Sequence, residues 1–480
     1  MAKPMHVQKK LRLLSLQSTA VLPQALPGRH LSPPPPVDPI LRLPCDVLFR
    51  IFRYLRFADL VVCLRVCRTW YIQLILVHSL WRRVNFPVSR IPPSARAISR
   101  AIQLGGHQLR SLTIGNAEKL TNSCLLSLTK AVRPQLTDLG LMHAHRLDMD
   151  CLVITVAALA HSLTHLNLSG TAVTDHAMRQ IFSRCPSLCD VNISYCTQLS
   201  RYMFEGIPPP EPPYPTNGSR HVVQSVPPLA RFTARGIGES AHQGIWNSLC
   251  HYYHTTLTAL DWADTGRISL GMVNSISLCT QLRVLNLNGC VLADDELTQS
   301  LPLLGEQCNQ IEELRLAGMT MLHDHHLMWM VGLNHNLRVL DLTNLHQLSD
   351  LLLRPLSTQL PQLTHLTLHG CFHCSDAGVS HILKRCPQLR HLDVTKTAVT
   401  DILLGRLARY SKCLETLILD SCLSITAQGL STLLTRSNFA RQLRYLSLTN
   451  CTRVDYDTAL KAKTQLHPDA QLRYYFKSDM

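Results

Sequence analysis

The 480-residue sequence predicts an α/β fold, with an N-terminal three-helix module followed by a curved solenoid that has a parallel sheet on its concave side and helices on its convex side. Two observations predict this architecture. The pattern L-x-x-L-x-L recurs along most of the chain at intervals of 25 to 29 residues, a period that is typical of stacked strand-and-helix units. Before the first repeat, apolar residues follow helical spacing.

The first element is a tail, residues 1–39, which we expect to be disordered. Its first 37 residues contain several bases and no acid, and Pro33 to Pro36 form an unbroken run of prolines. Such a composition cannot bury a core. An organellar presequence is an alternative interpretation, because these peptides are also basic, rich in Leu and Ser, and poor in acids.

Residues 40–86 form the predicted helical module. Pro44 suits the first turn of a helix, where a missing N–H costs nothing. After it, apolar residues recur at i, i+1, i+4, i+5 and i+8, and residues 59–64 and 70–76 repeat the pattern. A module of this size buries too little core to fold alone, so its exposed apolar surface indicates a docking face. The alternative is a cap that only shields the first repeat.

The order of short motifs in this module resembles an F-box: Leu43-Pro44, Ile51-Phe52 followed by Leu55, Val66-Cys67 before Trp70, and Ser79-Leu80-Trp81. The resemblance implies docking to an acidic Skp-family adaptor and, through it, to the cullin and RING subunits of an SCF-type ubiquitin ligase. The departures are modest: the pair Cys45-Asp46 and Arg50 stand where the family often has acidic residues. The implied adaptor-contact residues are Leu43, Pro44, Val47, Leu48, Ile51, Phe52, Leu55, Leu60, Leu64, Cys67, Trp70, Leu80 and Trp81.

Residues 87–465 are the predicted solenoid, with twelve clear repeats. They begin at Leu109, Leu136, Leu163, Leu188, Leu257, Leu282, Ile311, Leu337, Leu363, Leu389, Leu414 and Leu443. The interval from Leu188 to Leu257 conceals a degenerate repeat at Leu229, after a proline-rich loop near residues 205–222 that we expect to be extended. Thirteen strands at a spacing of ~4.8 Å predict an inner arc of roughly 60 Å. A leading strand within residues 80–86 and a closing segment in residues 466–480 would cap the two ends.

Cysteines recur at fixed positions of the repeat. Five of them, such as Cys371, follow the first leucine by eight residues, and four others precede a repeat by three. This regularity predicts buried thiols in a reducing compartment, the cytoplasm or the nucleus. Thr or Ser before each helix predicts an N-cap. The combination resembles the cysteine-containing class of leucine-rich repeats found in F-box proteins.

The net charge of +15 is unevenly distributed. Residues 1–110 hold 17 Lys and Arg against three acids, whereas the remaining residues hold 30 against 29. A basic field at the N-terminal end speeds the encounter with an acidic partner. A nucleic-acid-binding protein would instead spread positive charge along its extended surface, so we predict no nucleic-acid partner.

The third and fifth residues of each L-x-x-L-x-L unit should face solvent on the concave side, where a protein substrate would bind. This face is mixed in charge, and Arg315 alone does not form the cluster of bases that phosphate recognition needs. Recognition of a phosphorylated substrate therefore remains an alternative. A histidine group around His365 and His391 is interpreted as hydrated polar surface. The predicted substrate-contact residues are His165, Asn167, Asn192, Asn286, Arg315, Asp341, His365, His391, Asp393 and Tyr445.

The sequence shows no pattern typical of catalysis. It has no glycine-rich phosphate loop and no nucleophile elbow. Cys371 and Cys374 form a lone CxxC without a second pair, and the cluster from His323 to His326 is interpreted as solvated. No run reaches the ~18 apolar residues of a membrane span. We therefore predict a non-catalytic receptor subunit without a metal or cofactor. The alternatives are a repeat scaffold that engages no ligase and, less consistent with the sequence, an enzyme or metalloprotein.

Overall fold

A computed structural model of the chain describes residues 43, 45–131, 135–207, 228–292, 294–332, 334–434 and 437–474. The chain divides into two compact units, Met1–Leu55 and Arg56–Met480. In the first unit the described residues form one helix, α1 (Cys45–Phe52). The predicted tail, Pro44, the proline-rich insertion from Pro208 to Pro215 and the end of the closing segment lie outside the described residues.

The second unit begins with helices α2 (Phe57–Cys63) and α3 (Arg68–Leu76), followed by a 3-10 turn (His78–Trp81). The indole Nε1 of Trp81 donates a hydrogen bond of 2.9 Å to the carbonyl oxygen of Leu74. The ring of Phe57 packs edge-on against Trp81 and against Phe86, with centroids 6.1 and 5.1 Å away. Because Phe86 belongs to the first strand, these aromatic contacts attach α2 and the 3-10 turn to the start of the sheet.

One sheet contains all fifteen strands found in the described residues, arranged in chain order and paired in parallel. This order leaves β1 and β15 as open edges. Each predicted repeat supplies one strand, and the leading strand lies within the predicted segment. The strands are β1 (Arg83–Phe86), β2 (Ser111–Ile114), β3 (Asp138–Leu141), β4 (His165–Asn167), β5 (Asp190–Asn192), β6 (Arg231–Thr233), β7 (Ala259–Asp261), β8 (Val284–Asn286), β9 (Glu313–Arg315), β10 (Val339–Asp341), β11 (His365–Thr367), β12 (His391–Asp393), β13 (Thr416–Ile418), β14 (Tyr445–Ser447) and β15 (Gln471–Arg473).

Helices connect most of the strands and lie on the other side of the sheet, as expected for parallel pairing. They are α4 (Ala95–Gly105), α5 (Asn122–Ala131), α6 (Met149–Ala158), α7 (Asp175–Arg184), α8 (Glu239–Tyr253), α9 (Leu270–Ser277), α10 (Asp294–Gln307), α11 (Asp324–Val331), α12 (Asp350–Gln359), α13 (Asp376–Arg385), α14 (Asp401–Tyr410), α15 (Ala427–Leu434), α16 (Ser437–Gln442) and α17 (Tyr456–Gln465), with a 3-10 turn at Gly106–Gln108 after α4.

The core of the solenoid lies between the sheet and these helices. In the repeat that starts at Leu363, the first, fourth and sixth residues (Leu363, Leu366, Leu368) are fully buried. The side chain of Leu366 is in register with Leu340 on one side and Leu392 on the other. Period-two alternation within the strand therefore places one row of leucines inside and leaves the third and fifth residues on the opposite face. The predicted α/β solenoid is confirmed.

A strand lies where the sequence places the degenerate repeat. Strand β6 pairs with β5 through Phe232 and Val191, and with β7 through Phe232 and Leu260. Phe232 occupies the position of the usual leucine and stacks on Trp262 with ring centroids 6.1 Å apart. A larger aromatic core thus compensates for the weak leucine pattern of this unit.

The predicted N-caps are present. The hydroxyl oxygen of Thr174 accepts a hydrogen bond from the N–H of Ala177, and those of Ser349 and Thr400 accept from Leu351 and Ile402. Each hydroxyl satisfies one of the amide groups that a helix start leaves without a partner.

The repeat cysteines are free, and all nine that the spacing singled out are buried. The Sγ of Cys371 donates to the carbonyl oxygen of Leu342 in the preceding repeat at 3.2 Å, and Cys422 does the same to Val394 at 3.1 Å. Burial raises the pKa of the Cys422 thiol to about 12. Both thiols join successive repeats, and the raised pKa keeps Cys422 in its unreactive protonated form.

Candidate functional site

Helix α1 has one buried and one exposed apolar side. Leu48 and Phe52 are buried, whereas Val47 and Ile51 are 40% and 42% exposed. The members of each pair are four residues apart and therefore share one side of the helix. The exposed pair gives α1 an apolar surface.

Helices α2 and α3 likewise leave apolar side chains in solvent. Val62 is 63% exposed, and Val61, Val66 and Leu76 are also exposed. Leu64, Cys67, Trp70 and Leu80 are half-buried. Exposed apolar residues that cluster in one short segment are a common mark of a protein interface.

Basic side chains accompany this apolar surface. Residues 45–83 contain seven arginines, Arg50, Arg53, Arg56, Arg65, Arg68, Arg82 and Arg83, against the acids Asp46 and Asp59. Asp59 is paired with Arg56 at 3.2 Å. The seven arginines are exposed. The segment therefore presents apolar residues within a positive field, which suits an acidic partner.

Four residues that the sequence assigned to direct adaptor contact do not lie on the surface. Leu48, Phe52, Leu60 and Trp81 are buried within the chain. A side chain without exposed surface supports the fold of the segment and cannot itself contact a partner. Leu43 and Leu55 are half-buried, so the exposed candidates among the predicted residues are Val47 and Ile51.

On the sheet, the third position of each repeat is open to solvent at His165, His365, His391 and Tyr445, which are exposed or half-buried. The fifth position differs. The Oδ1 atoms of Asn167, Asn192, Asp341 and Asp393 accept hydrogen bonds of 2.9 to 3.1 Å from the backbone N–H two residues later. These residues stabilise the turn that leaves the strand, as Asx turns do.

Asn286 makes the same turn contact, to the N–H of Asn288 at 3.1 Å, and its side chain is buried. We therefore correct its assignment as a substrate contact, because it has no surface to offer. Arg315 remains half-buried on the sheet face, where it pairs with Glu313. This ion pair occupies the one arginine that the sequence assigned to this face.

A polar hollow of about 330 Å³ lies over strands β2 to β6. Asp138 and His165 approach each other to 3.3 Å, and Asp190 and Arg231 to 3.8 Å. Burial raises the pKa of Asp190, and Arg231 and His165 oppose this shift. Alternating charges in a shallow hollow are suited to binding polar side chains of a peptide or protein.

His365 and His391 stack on neighbouring strands with ring centroids 5.7 Å apart. Burial lowers the pKa of both imidazoles, and for His391 the neighbouring His365 lowers it further. The pair is therefore held toward its neutral form, in which each ring can both donate and accept a hydrogen bond.

Among the described residues, no cluster of three or more His, Cys, Asp or Glu is arranged to hold a metal ion. Cys371 and Cys374 are both buried. The hydrogen bond between the two thiols and the burial of Cys374 raise the pKa of Cys374 far above its ordinary value. His326 accepts a hydrogen bond at Nδ1 from the N–H of His323 and thereby caps α11. In the described part of the chain, no helix is long and apolar enough to cross a membrane.

Residues 40–87 match the F-box-like family. The F-box/LRR-repeat protein 5 of Salmo salar is 29% identical over 196 residues, which cover 34% of this chain and 28% of that relative. The match thus spans well under half of the relative's length.

Two solved structures resemble the chain in overall arrangement. A chain in the crystal structure of a Rad7 and Elc1 complex in yeast is 15% identical, with a TM-score of 0.48 and coverage of 100% of this chain and 96% of that one. An internalin from Listeria monocytogenes is 16% identical, with a TM-score of 0.38 and coverage of 84% and 90%. Both scores are below 0.5, so the fold assignment depends on the repeats and the sheet. The family match at residues 40–87 and the repeats of the sheet together support an F-box and leucine-rich-repeat architecture.

Proposed function

We propose that the chain is the substrate-recognition subunit of an SCF-type ubiquitin ligase. In this role the helical module docks a Skp-family adaptor, which connects the chain to the cullin and the RING subunit. The sheet face binds a protein substrate and brings its lysines near a ubiquitin-loaded enzyme. The receptor itself performs no chemistry and acts by raising the local concentration of substrate.

The exposed apolar residues of α1 to α3 are the observation that best supports adaptor docking. Val47, Ile51 and Val62 each leave apolar surface in water. Covering such residues contributes about 25 cal/mol per Å² of apolar area. The surrounding arginines would speed association with an acidic adaptor and make its rate sensitive to salt.

The solvent-facing residues at the third position of the repeats form a row that supports substrate binding by the sheet. It runs across successive strands, includes His165, His365 and Tyr445, and adjoins the polar hollow over β2 to β6. A row of this length suits a protein segment better than a small molecule. The free thiols favour a reducing compartment, so the proposal includes a location in the cytoplasm or nucleus.

Capture of the full chain by a purified Skp-family adaptor and cullin tests the proposal. We expect the unmodified chain to be retained, and Ile51→Glu and Val62→Glu each to reduce retention at least tenfold, because a charge would be buried in the interface. Leu351→Glu is the matched control, since Leu351 is 81% exposed but lies on a repeat helix.

Retention of the control and loss of both module variants, with unchanged circular dichroism, would support the proposal. Failure of the unmodified chain to bind would overturn it and favour the alternative, a repeat scaffold whose helices only cap the first strand. Equal retention of all three variants would remove the module from the interface.

A further inference from the structure

A row of alternating charges precedes the strands along the amino edge of the sheet. The residue before each strand from β8 to β14 is, in order, Arg283, Glu312, Arg338, Thr364, Arg390, Glu415 and Arg444. Their backbones are linked in register, since the N–H of Glu415 donates to the carbonyl oxygen of Arg390 and the N–H of Arg444 donates to that of Glu415, both at 2.8 Å. The row therefore contains two Arg-Glu-Arg triplets, separated by Thr364.

The second triplet differs from the first because it borders a pocket of about 280 Å³. Arg441 on α16 and His467 after α17 line this pocket together with the triplet. Glu415 lies 2.7 Å from Arg390 and 4.0 Å from Arg444. Among the described residues, no carboxylate lies within ion-pair distance of Arg441.

The charges around this pocket do not balance. Three guanidinium groups face one carboxylate, which leaves a surplus of two positive charges before His467 is counted. A phosphate monoester carries about −1.5 to −2 charges at neutral pH, so it matches the surplus, whereas one carboxylate would leave a positive charge uncompensated. Arginine also binds phosphate oxygens in a two-pronged geometry that lysine cannot form.

We propose that this pocket, formed by Arg390, Arg441 and Arg444, binds a phosphoryl group on a protein ligand. Glu415 holds Arg390 and Arg444 beside each other, and Arg441 supplies a third guanidinium. The inference rests on the proposed function, because the protein ligand would be the substrate of the ligase. It places phosphate recognition at the amino edge of the sheet rather than on its third and fifth positions.

The shape of the positive surface favours a phosphorylated protein over a nucleic acid. The pocket is one compact site, lined by the second triplet, Arg441 and His467. The adjoining face mixes acids, histidines and neutral residues, as at Glu313, His365 and His391. A nucleic acid would need positive charge repeated along the phosphate backbone.

The test uses the full chain and two fluorescent peptide pools, which have random sequences around a central phosphoserine or a central serine. Fluorescence polarisation measures the affinity for each pool. We expect the phosphoserine pool to bind about tenfold more tightly or better, as charge-assisted hydrogen bonds warrant. Inorganic phosphate should compete, and higher salt should weaken binding.

Two variants separate the pocket from general charge. Arg441→Gln and Arg444→Gln should each remove most of the preference for the phosphoserine pool. Arg283→Gln is the matched control. Arg283 pairs with Glu312 at 3.3 Å in the first triplet, and its substitution removes the same charge as the two pocket variants. An RNA oligonucleotide of equal length serves as a further probe.

Equal binding of the two pools would overturn the inference. It would also fail if Arg283→Gln reduced the preference as much as Arg441→Gln, or if RNA bound more tightly than the phosphoserine pool. Adaptor capture in the same samples tells the two proposals apart. Capture without a phosphoserine preference contradicts only the phosphate pocket, and a preference without capture contradicts only the ligase role.

Discussion

Asp376 and Thr400 connect two successive repeats. Asp376 lies in the first turn of α13, and its Oδ1 accepts a hydrogen bond from the N–H of Thr400 at 2.9 Å while its Oδ2 accepts from the Thr400 hydroxyl at 2.6 Å. Thr400 is in turn the N-cap of α14. The acid that follows the N-cap of α13 thus orients the N-cap of the next repeat. The same two bonds join Asp175 to Ser200, Asp324 to Ser349, Asp350 to Ser375 and Asp401 to Thr426.

Removing one of these carboxylates should destabilise the solenoid. The Oδ1 of Asp376 also accepts from the N–H of Leu403 at 3.1 Å, and that N–H donates to the Thr400 carbonyl oxygen as well. Asp376→Ala therefore removes the side-chain acceptor of the Thr400 N–H and of the Thr400 hydroxyl. We expect the free energy of unfolding in urea to fall by about 2–4 kcal/mol. Asp469→Ala is the control, because the Asp469 side chain is 94% exposed. Equal effects of the two substitutions would contradict the role of the carboxylate.

Gly378 makes room for the carboxylate of the preceding repeat. A Cβ atom at Gly378 would lie 2.2 Å from Oδ1 of Asp350, whereas one at Gly405 would meet nothing within 4 Å. We expect Gly378→Ala to lower the melting temperature because the Asp350–Ser375 bonds must shift. Gly405→Ala should raise stability by up to about 1 kcal/mol, since alanine favours a helix. Opposite signs in calorimetry are predicted, and stabilisation by both substitutions would contradict the account.

The buried repeat thiols should resist alkylation. Burial raises the pKa of Cys185, Cys308, Cys386 and Cys422 to about 12, and the reactive species is the thiolate. Iodoacetamide at pH 8 should therefore label the half-buried cysteines first, with the order read by mass spectrometry. These are Cys63, Cys67, Cys189 and Cys413.

In urea all cysteines should react at similar rates. Cys45 is left out of the comparison because its side chain lies outside the described part. Labelling of Cys422 in the native chain as fast as Cys413 would show that the repeats open far more readily than their packing predicts.

Stability should fall as the pH decreases through the range where histidine titrates. Burial lowers the pKa of His365 and His391 in the folded chain, so the unfolded chain takes up these protons first. The contribution of the two histidines to the free energy of unfolding is complete above the pKa of histidine in the unfolded chain, about 6.5, and is lost progressively as the pH falls below it. Glu313, Glu415, Asp341 and Asp393 partly offset this loss, whereas Arg315 and Arg390 add to it.

His391→Asn should reduce this pH dependence, because asparagine does not titrate. Urea unfolding at pH 7.5 and 5.5 measures the difference, with His254→Asn, on an exposed helix end, as the control. An unchanged difference in the His391 variant, or stability that rises toward pH 5.5, would contradict the prediction.

The sequence was sufficient for the fold because leucine spacing sets the strand positions directly. The starts from Leu109 to Leu443 each produce a parallel strand, and even Leu229, with Phe232 in place of a leucine, is found by its distance from Leu257. The exposure of residues within the helical module was less predictable. Trp81 fits the family motif and yet is buried, because a motif records which residue is needed and not whether it faces a partner.

Contacts between side chains of successive repeats were also hard to predict from the sequence. The recurring Thr-Asp or Ser-Asp pair indicates an N-cap, but the partner of Asp376 is 24 residues away. The Asx turn at Asp341 could have been found from the recurring D-x-T and N-x-S spacing at the strand ends. The pocket at Arg441 could not have been found in this way, because Arg441 lies on α16, a second short helix that follows α15 before the next strand.

Hydrogen–deuterium exchange of the full chain, alone and with a Skp-family adaptor, tests the central claim most directly. The account predicts slower exchange on adaptor binding in peptides from residues 45–76, and unchanged exchange in the strand peptides around Leu366 and Leu392. Protection of those strands with none in residues 45–76 would mean that the sheet, and not the helical module, receives the adaptor.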